Sequence, residues 1–377
     1  MSAEPLVVAA RRTPIATRGR ALAGVPVDGL AAVVIRAVVA DAAAALGSAP
    51  PIADVLLGNC MGPGGNPARI AALAAGLGVA VPGGTVDRQC GSGLAAVIDA
   101  ATAIRSGAAG ARIAGGAESA STAPVRTLGG VPYARAPFAP AGWPDPDMLP
   151  AADDLARRDG ISRTRQEEHA RRSHRRAVAA REAGRLVAEL VPVGSTGIAA
   201  DDAIGAALAL LPRLPPLLPG GTVTAGTATR VSDGAAAVAL VQRDRAPGVA
   251  GLVVRGHAVV GCEPALPGIG AAPAVLAALA DAGVGIGDVA AFEIVEAFAA
   301  QSLAVLDRLG IADDDPRVCA DGGALALGHP WGASGAVSMV RLFSRLVRGG
   351  APAGAVGVAA ASVGGGMGIA AVVEVVR

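Results

Sequence analysis

Cys90 and His329 are the side chains whose type and setting best fit covalent chemistry. Cys90 lies in Thr85-Val-Asp-Arg-Gln-Cys-Gly-Ser-Gly-Leu-Ala-Ala-Val-Ile-Asp-Ala100, where a short polar turn leads into an apolar run at helical spacing. The pattern predicts a thiol at the first turn of a helix, where unpaired N–H groups and the positive dipole end favour a thiolate. In such a place the pKa of a Cys falls well below its free value of about 8.5. Gly91 and Gly93 let a ligand approach the backbone closely. Against this stands the default for a single Cys, which is to act as a small buried hydrophobe. His329 lies in the Gly-rich run Gly322-Gly-Ala-Leu-Ala-Leu-Gly-His-Pro-Trp-Gly-Ala-Ser-Gly335. A Cys–His pair is the minimum for thiolate nucleophilic catalysis. A third stretch, Ala361-Ser-Val-Gly-Gly-Gly-Met-Gly368, can turn successive backbone N–H groups into a site, as an oxyanion hole requires. Its tail, Gly366-Met-Gly-Ile-Ala-Ala371, nearly fits a dinucleotide fingerprint but has only six residues after it, too few for a βαβ unit.

An internal echo gives a reason for the two residues to meet. Cys90-Gly-Ser-Gly opens one helical stretch that ends at Arg105-Ser-Gly107, and Gly332-Ala-Ser-Gly335 opens another that ends at Arg348-Gly349. The interval from Gly93 to Gly107 equals that from Gly335 to Gly349, and each helix is followed by an apolar strand and a Gly-rich turn. Two copies of one α/β unit account for this. His329 then holds in its copy the place that Cys90 holds in the other, and the two converge if the halves face each other. Around them, Pro5–Ala10 reads as a buried strand, 29–46 as a helix, 54–58 as a strand, and Asn66-Pro-Ala-Arg69 as a helix start with Pro in the first turn. Strand-like sequence recurs at 111–116, 235–241 and 252–260. Alternating strands and helices predict an α/β fold with largely parallel, buried strands. From about residue 121 the texture changes to turn-rich, then strongly charged, then Pro-rich sequence, which reads as an insertion.

Composition narrows the functional classes. The 377 residues exceed a single simple core and point to two or three domains. The net charge is +1, which favours neither nucleic acid nor an acidic surface as partner. All 32 basic residues are Arg. That excludes a lysine Schiff base and a Walker-type phosphate lysine. Cys60, Cys90, Cys262 and Cys319 form no C-x-x-C pair, so no zinc site is expected. In a chain of this length they read as reduced cytosolic thiols. No signal peptide is evident and no membrane span is expected, since the apolar runs are broken by Gly or charge.

The motifs together resemble those of the thiolases. The matching blocks are Gly65-Asn-Pro-Ala-Arg69, Cys90-Gly-Ser-Gly-Leu94, Gly115-Gly-Ala-Glu-Ser119, Thr222-Val-Thr-Ala-Gly226, Ser232-Asp-Gly-Ala-Ala-Ala-Val238, Glu296-Ala-Phe298, Gly322 to Gly335 and Gly364-Gly-Gly-Met-Gly368. The resemblance runs from end to end. It implies the thiolase fold, two repeated five-layered α/β/α/β/α halves with an inserted loop domain that binds coenzyme A (CoA), and a homodimer or homotetramer. The corresponding segments are 1–120 and 231–247 for the N-terminal half, 121–230 for the loop domain and 248–377 for the C-terminal half. By the same resemblance Cys90 takes an acyl group from an acyl-CoA, and His329 activates it and lines one oxyanion hole. The N–H groups of Cys90 and Gly364 form the other hole. Thr229, Ser232 and Leu217 fall in or beside the CoA-binding segment. No permanently bound cofactor is implied; the CoA thioester is the substrate.

Two departures from the family pattern fall on catalytic positions. The family's Asn-Glu-Ala-Phe reads Val295-Glu-Ala-Phe298 here. The Asn positions a water that, with the His, holds the enolate oxygen of the second substrate. Losing one such donor costs about 2.7–4 kcal/mol of transition-state stabilisation. The family's last-loop Cys, which removes the α-proton of acetyl-CoA, is replaced by Ser362. A general base works best with a pKa near the working pH, and a Ser hydroxyl is far from that. The CoA segment also drifts: Gly226-Thr-Ala-Thr-Arg230 carries Arg230 in place of a Gly, and Pro215-Pro-Leu217 lacks the usual aromatic. The arginines of 157–185 stand as candidates for CoA phosphates against a solvated helix face, which is also the expected setting of His169 and His174.

The first half-reaction is therefore expected to be intact and the second damaged. The leading expectation is a cytoplasmic acyltransferase that loads Cys90 from a CoA or carrier-protein thioester and passes the acyl group on, with Claisen-type carbon–carbon bond formation as one outcome. An ordinary acetyl-CoA C-acetyltransferase, and a non-catalytic thiolase-like subunit that binds acyl-CoA or scaffolds a partner, are the alternatives.

Overall fold

The computed structural model describes residues 3–194, 196–206 and 208–377. The chain opens with β1 (Pro5–Arg12), an almost wholly buried apolar run, and the short β2 (Ala16–Thr17). Helix α1 (Val27–Leu46) buries Leu30, Val34, Ile35 and Val38 on one side and stops at Gly47, whose φ of 75° is the left-handed C-terminal turn that Gly adopts without strain. It is long and apolar enough to cross a membrane, with a mean hydropathy of 1.9, yet it lies against β1 and later strands of the sheet. β3 (Ile52–Gly58) leads to α2 (Pro67–Ala74). There Pro67 occupies the first turn, as the sequence predicts, and the side chain of Asn66 accepts the Arg69 N–H. β4 (Gly83–Val86), α3 (Ser92–Arg105) and β5 (Ala111–Ser119) complete the first pass.

Between Ser119 and Ser232 no strand joins the large sheet among the described residues. This stretch holds a separate hairpin, β6 (Arg126–Leu128) and β7 (Val131–Tyr133), then α4 (Met148–Arg158) and α5 (Arg163–Glu182). The sheet resumes with β8 (Ser232–Gln242) and β9 (Gly251–Gly261). The chain continues through α6 (Ala271–Ala282), β10 (Val289–Ile294), α7 (Ala299–Leu309), α8 (Ala324–Leu327) and α9 (Trp331–Leu342). It ends with β11 (Val356–Val363) and β12 (Met367–Val376).

The strand order is β4-β3-β5-β8-β1 followed by β9-β12-β11-β10, with β2 on the side of β8. The second series repeats the first in mirror order: β3 corresponds to β10, β5 to β11, β8 to β12 and β1 to β9. The halves join where β1 meets β9, at Leu6↔Val253 and Val7↔Leu252. The α/β/α/β/α layering is made jointly. α1 and α2 cover the outer face of the first series, α6 covers that of the second, and α3 and α9 form the shared middle layer. Three apolar clusters fill the spaces between these layers. The expectation of largely parallel strands is corrected. β3 pairs in parallel with β4 and β5, and β10 with β11, but the other six pairings of this sheet are antiparallel. Continuous apolar runs report burial of both faces, and here antiparallel strands are buried on both faces too.

The middle layer is closed by glycines. A Cβ on Gly93 of α3 would sit 2.8 Å from the carbonyl oxygen of Gly332 in α9, and one on Gly335 would sit 2.7 Å from Cβ of Leu94. The carbonyl of Gly332 also faces Gly58 and Gly116, where any Cβ would overlap it. Gly116→Ala should therefore push α9 off β5. Overpacking of this kind costs about 1–3 kcal/mol or more, to be read as a lower denaturant midpoint with an unchanged slope.

Candidate active site

Cys90 sits in a tight turn just before α3 begins at Ser92, with Gln89 at φ 45°. The thiol therefore precedes the first helical turn that the sequence predicts for it. Ser92 braces the turn: its Oγ accepts the Arg88 N–H at 2.8 Å and donates to the Gln89 carbonyl at 2.6 Å. His329 lies in the loop before α9. Its N–H donates to the Arg230 carbonyl at 2.9 Å, and Ser232 Oγ lies 3.3 Å from the same nitrogen. The two loops meet with His329 Nε2 3.3 Å from Cys90 Sγ.

The partners of His329 define its tautomer. Ser334 Oγ donates to the Pro330 carbonyl at 2.9 Å and lies 2.6 Å from His329 Nδ1. With its own proton committed, Ser334 accepts Nδ1–H, which leaves the Nε2 lone pair facing the thiol. Ser334 stands in the second repeat where Ser92 stands in the first, and each fixes the turn that presents its neighbour. Glu118, at the end of β5, ties the loops together. Its carboxylate accepts the N–H groups of Cys60 at 3.1 Å, Met61 at 3.1 Å and Gly332 at 3.0 Å, and the Asn59 side-chain amide at 2.9 Å. Ser334 and Glu118 both lie inside the sequence blocks quoted above; equivalence between the repeats is the signal that singles out Ser334.

The electrostatics correct one expectation. Burial pushes the Cys90 thiol up to about 12, against the pull of two backbone N–H groups, its own and that of Gly364. Burial also lowers His329 to about 4. The helix end does not overcome desolvation, and the resting pair is a neutral thiol beside a neutral imidazole. The amides of Cys90 and Gly364 that face the sulfur are the pair expected to form an oxyanion hole.

A cavity of about 390 Å³ opens onto this pair. Its wall includes Cys60, Met61, Arg126, Phe138, Met148, Thr229, Phe298, Gln301, Ser362 and Gly364. It is large enough for a pantetheine arm with a short acyl chain. Ser362 is on the wall, but its hydroxyl donates to the Gly268 carbonyl at 2.7 Å. The same oxygen accepts Ala271 N–H at 3.0 Å and faces Gln301 Nε2 at 3.4 Å. Its proton is directed at a carbonyl, with no base taking it. Thr229 is also on the wall, its hydroxyl donating to the Ala324 carbonyl at 2.6 Å.

The other sequence candidates lie elsewhere. Ser232 is buried behind the His329 loop and Leu217 is 45% exposed at the surface; neither lines the cavity. Val295 is buried in the core between the halves, off the cavity wall. His169 and His174 are not on a solvated face. Both are buried, His169 beside Glu296 at 3.2 Å and His174 accepting the Gly205 N–H at 3.1 Å. Three arginines of α5 anchor that helix to the C-terminal half. Arg165 pairs with Asp307 and Asp313, and Arg172 and Arg176 hold carbonyls of the segment 313–318.

The match to known families agrees with this geometry. Residues 6–244 fit the model of the thiolase N-terminal domain and residues 249–375 that of the thiolase C-terminal domain. The chain belongs to the thiolase family. It is 39% identical to an acetyl-CoA acetyltransferase of Chromobacterium violaceum, over 98% of this chain and 99% of that one. It is 38% identical to peroxisomal 3-ketoacyl-CoA thiolase 2 of Arabidopsis thaliana, over 98% and 83%. The crystal structure of the Bacillus anthracis acetyl-CoA acetyltransferase superposes with a TM-score of 0.90 at 33% identity, covering 100% of this chain and 99% of that one. This thiolase-family protein is an acyltransferase.

Two measurements test the resting pair. With His329 at about 4, the basic imidazole is lost only as pH falls through that value. The rate of thiol acylation should thus rise through pH ~4 and then stay flat to about pH 8; a plateau reached only near pH 7 would contradict it. Ser334→Ala leaves Nδ1–H buried without an acceptor. If the lost hydrogen bond, about 1–3 kcal/mol, appears in the barrier, acylation slows roughly ten- to hundredfold, with KM for the donor little changed.

Proposed function

We propose that this thiolase-family enzyme carries its acyl group as a thioester on Cys90, taken from a CoA or carrier-protein thioester. The acyl group then passes to an acceptor other than the enolate of acetyl-CoA. The thiol proton moves to His329 Nε2 as Sγ attacks the carbonyl carbon. The carbonyl oxygen takes charge between the amides of Cys90 and Gly364, and the donor's C–S bond breaks. His329 returns the proton to the leaving thiolate. The acceptor that fits is one needing no strong base: an already acidic carbon, a malonyl-type unit whose decarboxylation supplies the carbanion, or a heteroatom. The observation that carries the reading is the contrast at the cavity. Cys90 and His329 are in hydrogen-bonding contact, while Ser362 is saturated by structural bonds and Val295 is turned into the apolar core. Val295 can neither hold a water nor donate to an enolate.

The reading includes a cytoplasmic homodimer or homotetramer with no permanently bound cofactor. Four free thiols support a reducing compartment. Edge strand β4, paired on one side only, supports strand-to-strand association between copies. A second reading, ordinary acetyl-CoA C-acetyltransfer, is favoured by the names of the relatives.

Intact-protein mass with a panel of acyl-CoAs decides the first half. Wild type should gain the acyl mass and release CoA, and Cys90→Ala should do neither. The second half is decided by acetoacetyl-CoA formation from acetyl-CoA. It should run at least roughly a hundredfold slower than acylation and quicken in Ser362→Cys. Condensation at the acylation rate in wild type would favour the second reading.

A further inference from the structure

Arg126 is the charged residue on the cavity wall that neither the fold nor acyl transfer accounts for. It opens β6, half-buried, and its Nη2 donates to the carbonyl of Cys60. Among the described residues it makes no ion pair. The other arginine on the wall differs: Arg135 is held by Asp145 at 2.8 Å and Asp147 at 2.9 Å, and stacks 4.6 Å from the ring of Phe138. Asp87, an acid on the same wall, is exposed and accepts the Gln89 N–H.

Arg126 is anchored beside the nucleophile's own turn. Cys60, whose carbonyl it holds, donates through Sγ to the Gln89 carbonyl at 3.1 Å and lies 3.4 Å from Ser92 Oγ. One N–H of a five-donor planar fork is engaged, which leaves the geometry that binds a carboxylate with two parallel bonds. Met61, Ala134, Ala136 and Phe138 give the cavity apolar wall for methylenes.

We propose that the acyl group accepted by Cys90 ends in a second carboxylate, and that Arg126 binds it. This inference rests on the acyl-enzyme reading. The donor is the monothioester of a short dicarboxylic acid. Its thioester carbon is attacked by Sγ, its C–S bond breaks and the thiol departs with the proton relayed by His329. The far carboxylate keeps its charge on Arg126 throughout. A neutral chain leaves the guanidinium facing hydrocarbon, so the site selects against it.

The test compares acylation rates for matched pairs by intact-protein mass: succinyl- with butyryl-CoA, glutaryl- with valeryl-CoA, adipyl- with hexanoyl-CoA. The same acyl groups on N-acetylcysteamine, which lacks phosphates, separate recognition of the acyl carboxylate from recognition of CoA. Wild type should prefer the carboxylated member of at least one pair by roughly 10- to 100-fold, on both carriers. That ratio should fall to one or below in Arg126→Leu and partly return in Arg126→Lys, with the neutral donor in each variant reporting on folding. Equal or faster loading of every neutral chain in wild type would overturn the inference and leave the acyl-enzyme reading standing. So would a loss in Arg126→Leu shared by all CoA donors but absent with the cysteamine thioesters, which would assign Arg126 to the CoA phosphates. Absence of any acylated Cys90 would overturn both.

Discussion

The backbone-on-backbone crossing of α3 and α9 is the constraint on which the site depends. The carbonyl of Gly332 lies where side chains would otherwise stand on Gly58, Gly93 and Gly116. Helices that approach this closely leave no freedom for the loops that lead into them. One of those loops carries Cys90 and the other His329. Glu118 adds a polar tie, since one carboxylate holds the Gly332 amide of one half and the Cys60 and Met61 amides of the other. The 3.3 Å between Nε2 and Sγ is therefore set by two rigid helices and a buried carboxylate rather than by the loops themselves.

That rigidity also explains how a neutral pair can serve. Burial holds the thiol at about 12 and the imidazole at about 4, so charge separation is unfavourable while the cavity is empty. On the proposed mechanism the proton moves only when a carbonyl stands close enough to take up the sulfur's electrons and pass the charge to the two amides. The site therefore does not store a reactive thiolate that oxidants or stray electrophiles would consume. A second step that needs a carbanion at an unactivated methyl group requires a base beside the acyl group. Ser362 has its proton on a backbone carbonyl.

How much of this could be read from the chain follows from the range of each interaction. The halves, the helices after Cys90 and before Gly349, and the meeting of Cys90 with His329 are local patterns repeated at equal spacing, so they are legible. The helix start at Asn66-Pro67 is legible because Pro in a first turn is a local signal. Strand direction is not, because an apolar run records burial without direction. The settings of Ser362, Ser232 and Leu217 depend on partners far along the chain, such as Gly268 for Ser362. The burial of His169 and His174 is hidden by ten arginines in 157–185, whose charge suggests a solvated helix. Three of them, Arg165, Arg172 and Arg176, instead clamp α5 to the C-terminal half, and its histidines face inward.

The division of labour in the molecule follows from which elements are fixed. The repeated halves supply Cys90, His329 and the amides proposed as nucleophile, base and oxyanion hole, all held at the glycine crossing. The segment between β5 and β8 supplies Arg126, Phe138, Met148 and Thr229, which shape the cavity but lie outside the large sheet. A buried network joins the two parts: Arg12 of β1 and Arg341 of α9 share Glu189, and Asp201 and Asp321 complete their pairing. Burying these charges is costly unless every partner is present, so the network fixes how the cavity wall seats on the catalytic halves. On the proposed reading, chemistry is tied to the repeated core and the choice of acyl group to the inserted segment. Substitutions in the segment would then change what is carried on Cys90 without disturbing how it is loaded.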